Sequence, residues 1–315
     1  MNSLVFPDKI PLGIFPTPVQ TLKNVSKALG CAVSIKRDDM TGIALGGNKV
    51  RKLEYLLCDA QKKGAQVVFT TGGAQSNHAM LTAACAKKIG LTPILILKKK
   101  GVTDIKGNRL LESLMNTDVR FMNTDSYEDI YEEMDRVGTD LKKPYYKIPC
   151  GGSNALGTIG YVDCVKEMKE QGYVFDRIIC AEGSGGTMAG LALGAKLFMP
   201  ECRVTGMMVD NDPFDEITLR LMKQAASILN ADIDITENDF DLIDMCGPGY
   251  AIPSREGNEA VCFMAEKEGL FLDPVYTGKA FAGLMQMARD GKLRKDEKIL
   301  FLHSGGAGGL FALDM

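Results

Sequence analysis

The sequence predicts an α/β protein with open, twisted parallel sheets shared between two domains. Three observations carry this. A chain of 315 residues has room for two modest domains, and at 45% hydrophobic and 24% charged it has the composition of a packed globular protein. Short apolar runs alternate with amphipathic stretches along most of its length, as parallel sheets covered by helices require. The glycine-rich loops fall where a strand gives way to a helix, the end at which open parallel sheets bind ligands.

The elements follow in order. "AVSIKRD" (32–38) reads as a strand, and "NKVRKLEYLLCDAQKKG" as a helix with Val50, Leu53, Leu57 and Ala60 on one face and Gly64 as its stop. "QVVFTTGG" is a strand into a turn, followed by a helix from about Asn77 to Ile89 that ends at Gly90. "PILILK" is a strand, "GNRLLESLM" a helix and "DVRFM" a strand. Ser126, with Asp129 three residues on, is placed to cap "YEDIYEEMDRVG". "YYKIP" is a strand before the loop and helix of "GGSNALGTIGYVDCVKEMKEQG". The second half repeats the pattern: strands at "RIICAE", "VTGMMV" and "KILFLH", and helices at "GGTMAGLALGAKLF", "DEITLRLMKQAASILN", "NEAVCFMAEKEG", "GKAFAGLMQMARDG" and, at the end, "SGGAGGLFAL". The run Lys98–Lys100 reads as a solvated strand edge.

Composition narrows the function. A net charge of −3 gives no field for nucleic acid or an anionic membrane, and the absence of tryptophan disfavours base stacking. Nine scattered cysteines without a Cys-x-x-Cys pair read as reduced, mostly buried thiols, and two histidines are too few for a zinc site. The first residues lack a basic region followed by an apolar run, and no apolar run approaches the ~18 residues a bilayer needs. The expected location is the cytoplasm.

Five loops carry the chemistry. "TGIALGGNKVRK" (41–52) resembles a P-loop, but Asn48 stands where that pattern needs lysine, and Val50 follows Lys49 where it needs a hydroxyl. "TTGGAQSNH" (70–78) places Ser76, Asn77 and His78 at a helix N-terminus, where unpaired amides suit a carboxylate. "EGSGGT" (182–187) fails the dinucleotide fingerprint at Met188, yet Gly183, Ser184, Gly185, Gly186 and Thr187 make a cradle for one phosphate. "GPGY" (247–250) and "DPVYTGK" (273–279) put Tyr250 and Tyr276 in glycine-rich loops, and "LFLHSGGAGG" (300–309) puts Ser304 at a strand end, with His303 before it as a near-core histidine. Alone, each loop is equally an ordinary turn or cap. Together they offer a lysine, an anion cradle, hydroxyls and amides. Metal hydrolysis lacks ligands, a serine triad lacks its Gly-x-Ser-x-Gly elbow, and hydride transfer lacks its fingerprint. A lysine Schiff base with pyridoxal 5′-phosphate fits.

The chain resembles the D-cysteine desulfhydrase / 1-aminocyclopropane-1-carboxylate deaminase family nearly end to end. The resemblance rests on "PTPVQTL", "IKRDDMTGIALGGNKVRKLEYLL", "QSNHAMLTAA", "IPCGGSNALGTIGYV", "GSGGTMAGL", "DPVYTGKAFAGL" and "LHSGG", in the family's order. It implies the tryptophan-synthase β-subunit fold, fold type II of the pyridoxal-phosphate enzymes. It implies a small domain of residues 51–160 inserted into a large one of 1–50 plus 161–315, and a homodimer acting on a small amino acid. Lys49 would form the Schiff base with the cofactor and then, once freed, take the Cα proton. Asn77 would bond the cofactor's ring oxygen, residues 183–187 its phosphate, and Ser304 would face the pyridine nitrogen. Ser76, Asn77, His78, Tyr250, Tyr276 and Thr277 would surround the substrate, with Tyr276 protonating the leaving group.

Thr277 and Ser304, where the cyclopropane deaminases carry Glu and Leu, place the chain nearest the desulfhydrase branch, as does "SNH" rather than "SNQ". Eliminating a thiol with a pKa of about 8.5 needs less electron withdrawal than opening an unactivated ring, so a neutral serine suffices. Met80 departs from the arginine that many members of that branch carry there. The expected reaction is D-cysteine to pyruvate, sulfide and ammonia. The alternatives are the cyclopropane deaminase, a lyase for cysteate or D-serine, and a phosphate- or nucleotide-binding protein without catalysis.

Overall fold

The computed structural model describes residues 4–312. The chain runs β1 (Val19–Thr21), α1 (Lys23–Leu29), β2 (Ala32–Arg37), α2 (Lys49–Lys62), β3 (Val67–Thr70), α3 (Asn77–Lys88) and β4 (Thr92–Lys98). It continues with α4 (Gly107–Leu114), β5 (Asp118–Met122), α5 (Tyr127–Leu141), β6 (Tyr145–Lys147), α6 (Ala155–Glu170), β7 (Arg177–Glu182) and α7 (Gly186–Phe198). It closes with β8 (Arg203–Met208), α8 (Phe214–Ile228), β9 (Asp241–Asp244), α9 (Arg255–Glu268), α10 (Thr277–Arg289), β10 (Lys298–His303) and α11 (Ala307–Leu310).

The strands form two sheets, ordered β1-β2-β10-β7-β8-β9 and β5-β4-β3-β6. Every pair is parallel except β1 with β2. Parallel sheets bury both faces, and the alternation of side chains shows how. On β7, Ile178 and Cys180 face the core shared with α6, α7 and α8, while Ile179 faces α9 and α10. On β3, Val68 packs toward α2 and α3, and Val67 and Phe69 toward Ile130, Met134 and Val137 of α5. Met80 is buried in the apolar core between α2 and α3.

In the smaller sheet the strand order reverses between β3 and β6, and the loops after both strands reach one cleft. Loops after β7 and β10 of the larger sheet meet them there.

Three short elements escape the periodicity reading: β1, α1 and β9. The Lys98–Lys100 expectation is corrected in part. Lys98 is buried, with Nζ donating to the Asp125 carbonyl and lying 3.5 Å over the Tyr127 ring, because its stem lies along apolar surface to an internal partner. Ser126 does cap α5, its hydroxyl accepting from the Asp129 amide at 3.2 Å. All nine cysteines are free thiols. Among the described residues no helix is long and apolar enough to cross a membrane, and no cluster of His, Cys, Asp and Glu is placed to hold a metal ion.

Candidate active site

The cleft encloses about 630 Å³ of space between atoms, solvent at its mouth included. It gathers Lys49, Ser76, Asn77, His78, Gly183, Ser184, Thr187, Tyr250, Tyr276 and Ser304 from six segments of the chain.

Lys49 opens α2 at the end of a tightly held loop. Gly46 takes φ +74°, and a Cβ there would sit 1.7 Å from the Asp39 carbonyl oxygen, so no other residue fits. Thr41 receives the Gly47 amide on its hydroxyl at 2.9 Å. The Asn48 amide donates to the Ser304 carbonyl, and the Asn48 side chain donates to Thr187 Oγ1 at 3.0 Å. These bonds tie the lysine both to the turn after β10 and to the first turn of α7. Burial lowers the Lys49 ammonium below its ordinary value, against the pull of Cys150 and Glu182.

Ser76 caps α3, its hydroxyl accepting from the Ala79 amide at 3.2 Å. The Asn77 carbonyl oxygen accepts from Asn108 at 2.7 Å, which leaves the Asn77 amide hydrogens for the cleft. His78 is neutral: burial, then Lys49 and Lys52, push its pKa well down. Its tautomer follows from its partner. Thr70 spends its hydroxyl proton on the Ile148 carbonyl, so it accepts from His78 Nε2–H at 2.8 Å. His78 therefore brings no positive charge to a substrate carboxylate.

The Tyr250 and Tyr276 hydroxyls are 2.6 Å apart. Burial raises both phenols; Tyr250 raises Tyr276 further, while the hydrogen bond to Tyr276 only partly offsets the rise of Tyr250, so both stay protonated. The Tyr276 ring lies against Gly183, where a Cβ would come within 3.3 Å of it. Lys279, fully buried, donates to the Cys246 and Gly249 carbonyls at 2.7 and 2.9 Å and so holds the loop that carries Tyr250.

Three predicted residues do not line the cleft. Thr277 is fully buried, with its hydroxyl donating to Asp273 Oδ1 at 2.7 Å. The Asp273 carboxylate gathers the amides of Val275, Tyr276 and Thr277, which turns the threonine inward and away from substrate. Gly185 and Gly186 lie one layer behind the lining, their amides donating to Glu182 and Ser153. His303 is structural as expected: its Nε2 meets the Phe271 carbonyl and its Nδ1 accepts from the Gly305 amide.

Sequence reasoning gave no role to Asn48, Cys150, Glu182 and Asp273, which line the cleft, or to Lys52 and Ser153, which stand behind it against Gly186. Lys52 had a readable signal, since it follows Lys49 by three residues and shares its helix face. Its Nζ donates to the Gly151 carbonyl at 3.1 Å and to Ser153 Oγ at 3.2 Å. A Cβ on Gly186 would lie 2.8 Å from that Nζ, so the ammonium stands at the start of α7. Burial and Lys49 hold its pKa well down.

The residues fit pyridoxal 5′-phosphate. Gly183, Ser184 and Thr187 at the start of α7, with Ser153 and Lys52 behind them, would hold the phosphate, and Lys49, an amine of lowered pKa, would take the aldehyde. When bound, the cofactor supplies that aldehyde and a ring that accepts the electron pair of a broken Cα bond.

Known proteins agree. A putative 1-aminocyclopropane-1-carboxylate deaminase of Thermotoga maritima is 42% identical, with 96% of this chain and 98% of that one covered. The D-cysteine desulfhydrase of Klebsiella pneumoniae is 41% identical, with 94% and 93% covered. The crystal structure of an ACC deaminase homologue superposes with a TM-score of 0.90 at 41% identity, covering 97% of this chain and 94% of the other. The family described as pyridoxal-phosphate dependent enzymes matches residues 10–305, and this chain belongs to it.

Proposed function

We propose that the chain eliminates sulfide from D-cysteine, with pyruvate and ammonia as the other products. The observation that carries this reading over ring opening is the neutral end of the cleft. Ser304 is there, and the carboxylates nearby are engaged: Asp273 by the amides of residues 275–277, Glu182 by those of 184 and 185. Asp273, held by three amides, is not free to reinforce a protonated pyridine nitrogen, which suits a good leaving group.

Each residue's part follows from its setting. The Lys49 amine, lowered by burial, has a neutral fraction that accepts the Cα proton. The α3 N-terminus, with Ser76 and Asn77, receives the substrate carboxylate through neutral donors. In the tyrosine pair one hydroxyl donates to the other, which leaves one proton to give to departing sulfur. Tyr276→Phe should cut turnover roughly a hundredfold, the lower range for a positioned acid, while the cofactor's absorbance persists. An unchanged rate of sulfide release would assign the proton elsewhere.

A second reading, cyclopropane-acid deamination, is favoured by the names of the Thermotoga relative and of the superposed homologue. Incubation with D-cysteine, L-cysteine and the cyclopropane acid separates the two. Pyruvate and sulfide from D-cysteine alone are expected. Oxobutanoate from the cyclopropane acid would establish the second reading instead.

A further inference from the structure

Glu182 is the last residue of β7 and is 1% exposed. Its Oε1 accepts the Ser184 amide at 2.9 Å and the Gly185 amide at 2.5 Å. Its Oε2 is buried and has no hydrogen-bond partner among the described residues, and the side chain lines the cleft. Amides at this turn into α7 are the donors a phosphate would use. A carboxylate already holds two of them.

We propose that Glu182 sets how tightly, and at what pH, this chain takes up its phosphate-bearing cofactor, because its carboxylate and the phosphate contend for the same two amides. The proposal rests on the placement of the phosphate at residues 183–187. A phosphate arriving there meets a like charge in a site with little water, where repulsion is weakly screened. Two responses relieve it. Glu182 leaves the amides, or it takes up a proton on Oε2, which has no other partner among the described residues.

The groups facing Glu182 come from every neighbouring element. α2 contributes Lys49 and Lys52, β7 contributes Cys180, and the loop after β6 contributes Cys150 and Ser153. The same cleft is lined by His78 of α3, which is neutral, by Tyr250 and Tyr276, which are protonated, and by Asp273, whose carboxylate is held by the amides of Val275, Tyr276 and Thr277. Burial raises the Glu182 carboxyl, and the Gly185 and Ser184 amides and the two lysines oppose the rise. A phosphate beside it raises it further. The sign follows: uptake is strongest below the carboxyl's own value and weakens as pH rises through the interval between its free and its cofactor-bound value. Lysine and phosphate ionisation also move with pH, so the informative quantity is the difference between wild type and a variant without the charge.

The test strips the protein of cofactor with hydroxylamine and measures the pyridoxal-phosphate dissociation constant by absorbance, from about pH 6 to about pH 9, a range that spans a raised carboxyl. The proteins are wild type, Glu182→Gln, Glu182→Thr and Lys52→Met. Glu182→Gln and Glu182→Thr should bind more tightly than wild type, by roughly tenfold for each unit by which the phosphate raises the carboxyl. The gap should be widest at the alkaline end and close toward the acid end. Folded Gln and Thr variants that retrace the wild-type curve, while Lys52→Met binds weakly, would overturn the role of Glu182 and leave the phosphate placement standing. Unchanged binding in Lys52→Met would overturn the placement, and the inference with it.

Discussion

Lys49→Ala should abolish turnover, by at least about 10⁴-fold, the upper range for a positioned base, and should end the covalent attachment of the cofactor. Both losses fall together because the proposed function gives one amine both roles. The loop explains why no neighbour substitutes. Lys52 is the nearest cation on α2, but its Nζ is committed to the Gly151 carbonyl and Ser153. Lys49 is the cleft lysine, presented by Asn48, whose two bonds run to Ser304 and Thr187. The check is borohydride reduction followed by mass measurement. Wild type should gain the mass of the reduced cofactor and the variant should not. A variant that still gained it would move the Schiff base to another lysine.

Arg51→Ala should cost about 3–5 kcal/mol of stability, the range for breaking a buried ion pair by removing one partner. Arg51 Nε lies 2.8 Å from Asp38 Oδ2, and Nη1 lies 2.8 Å from Glu167 Oε2. Lys36 reaches Glu167 at 2.5 Å, and Tyr161 donates to Asp38 at 2.5 Å. The guanidinium also stacks on Phe15, 4.4 Å from its centroid. Burial alone would raise Asp38, but Arg51 and the hydroxyls of Tyr161 and Thr17 hold it below its ordinary value. In wild type that contribution is present above the unfolded aspartate value and is lost as pH falls through the folded one. Without Arg51, burial should instead raise Asp38, so acid should relieve the variant. Urea unfolding at neutral pH and near pH 4, about the ordinary aspartate value, should show the gap between the proteins narrowing. A gap independent of pH would mean that lost packing against Phe15, rather than charge, causes the destabilisation.

The sheets were legible because parallel strands buried on both faces leave continuous apolar runs, and the helices because one face repeats every three or four residues. β1 and β9 were not, since three or four residues at a sheet edge carry too short a pattern. The cleft was legible in its glycine loops, whose backbone must approach a ligand or turn sharply. What lay hidden depended on tertiary direction. Thr277 sits beside Tyr276 in sequence, yet four bonds at Asp273 decide which of the two faces the cleft. Cys150 lies just beyond β6 and Glu182 ends β7, and only the meeting of two sheets brings them to one space. Glu182 did leave a trace: an acid at the end of an apolar strand, immediately before a helix N-terminus, where its charge is favourable.

The tie from Lys279 to the carbonyls of Cys246 and Gly249 has a mechanical meaning. Tyr276 begins α10 and Lys279 belongs to its first turn, so one helix carries a phenol directly and holds the loop of the other by an ammonium clamp. If α10 shifts as the cleft opens or closes, both hydroxyls travel with it as a single piece. The hydroxyl pair then keeps its internal geometry as the helix moves.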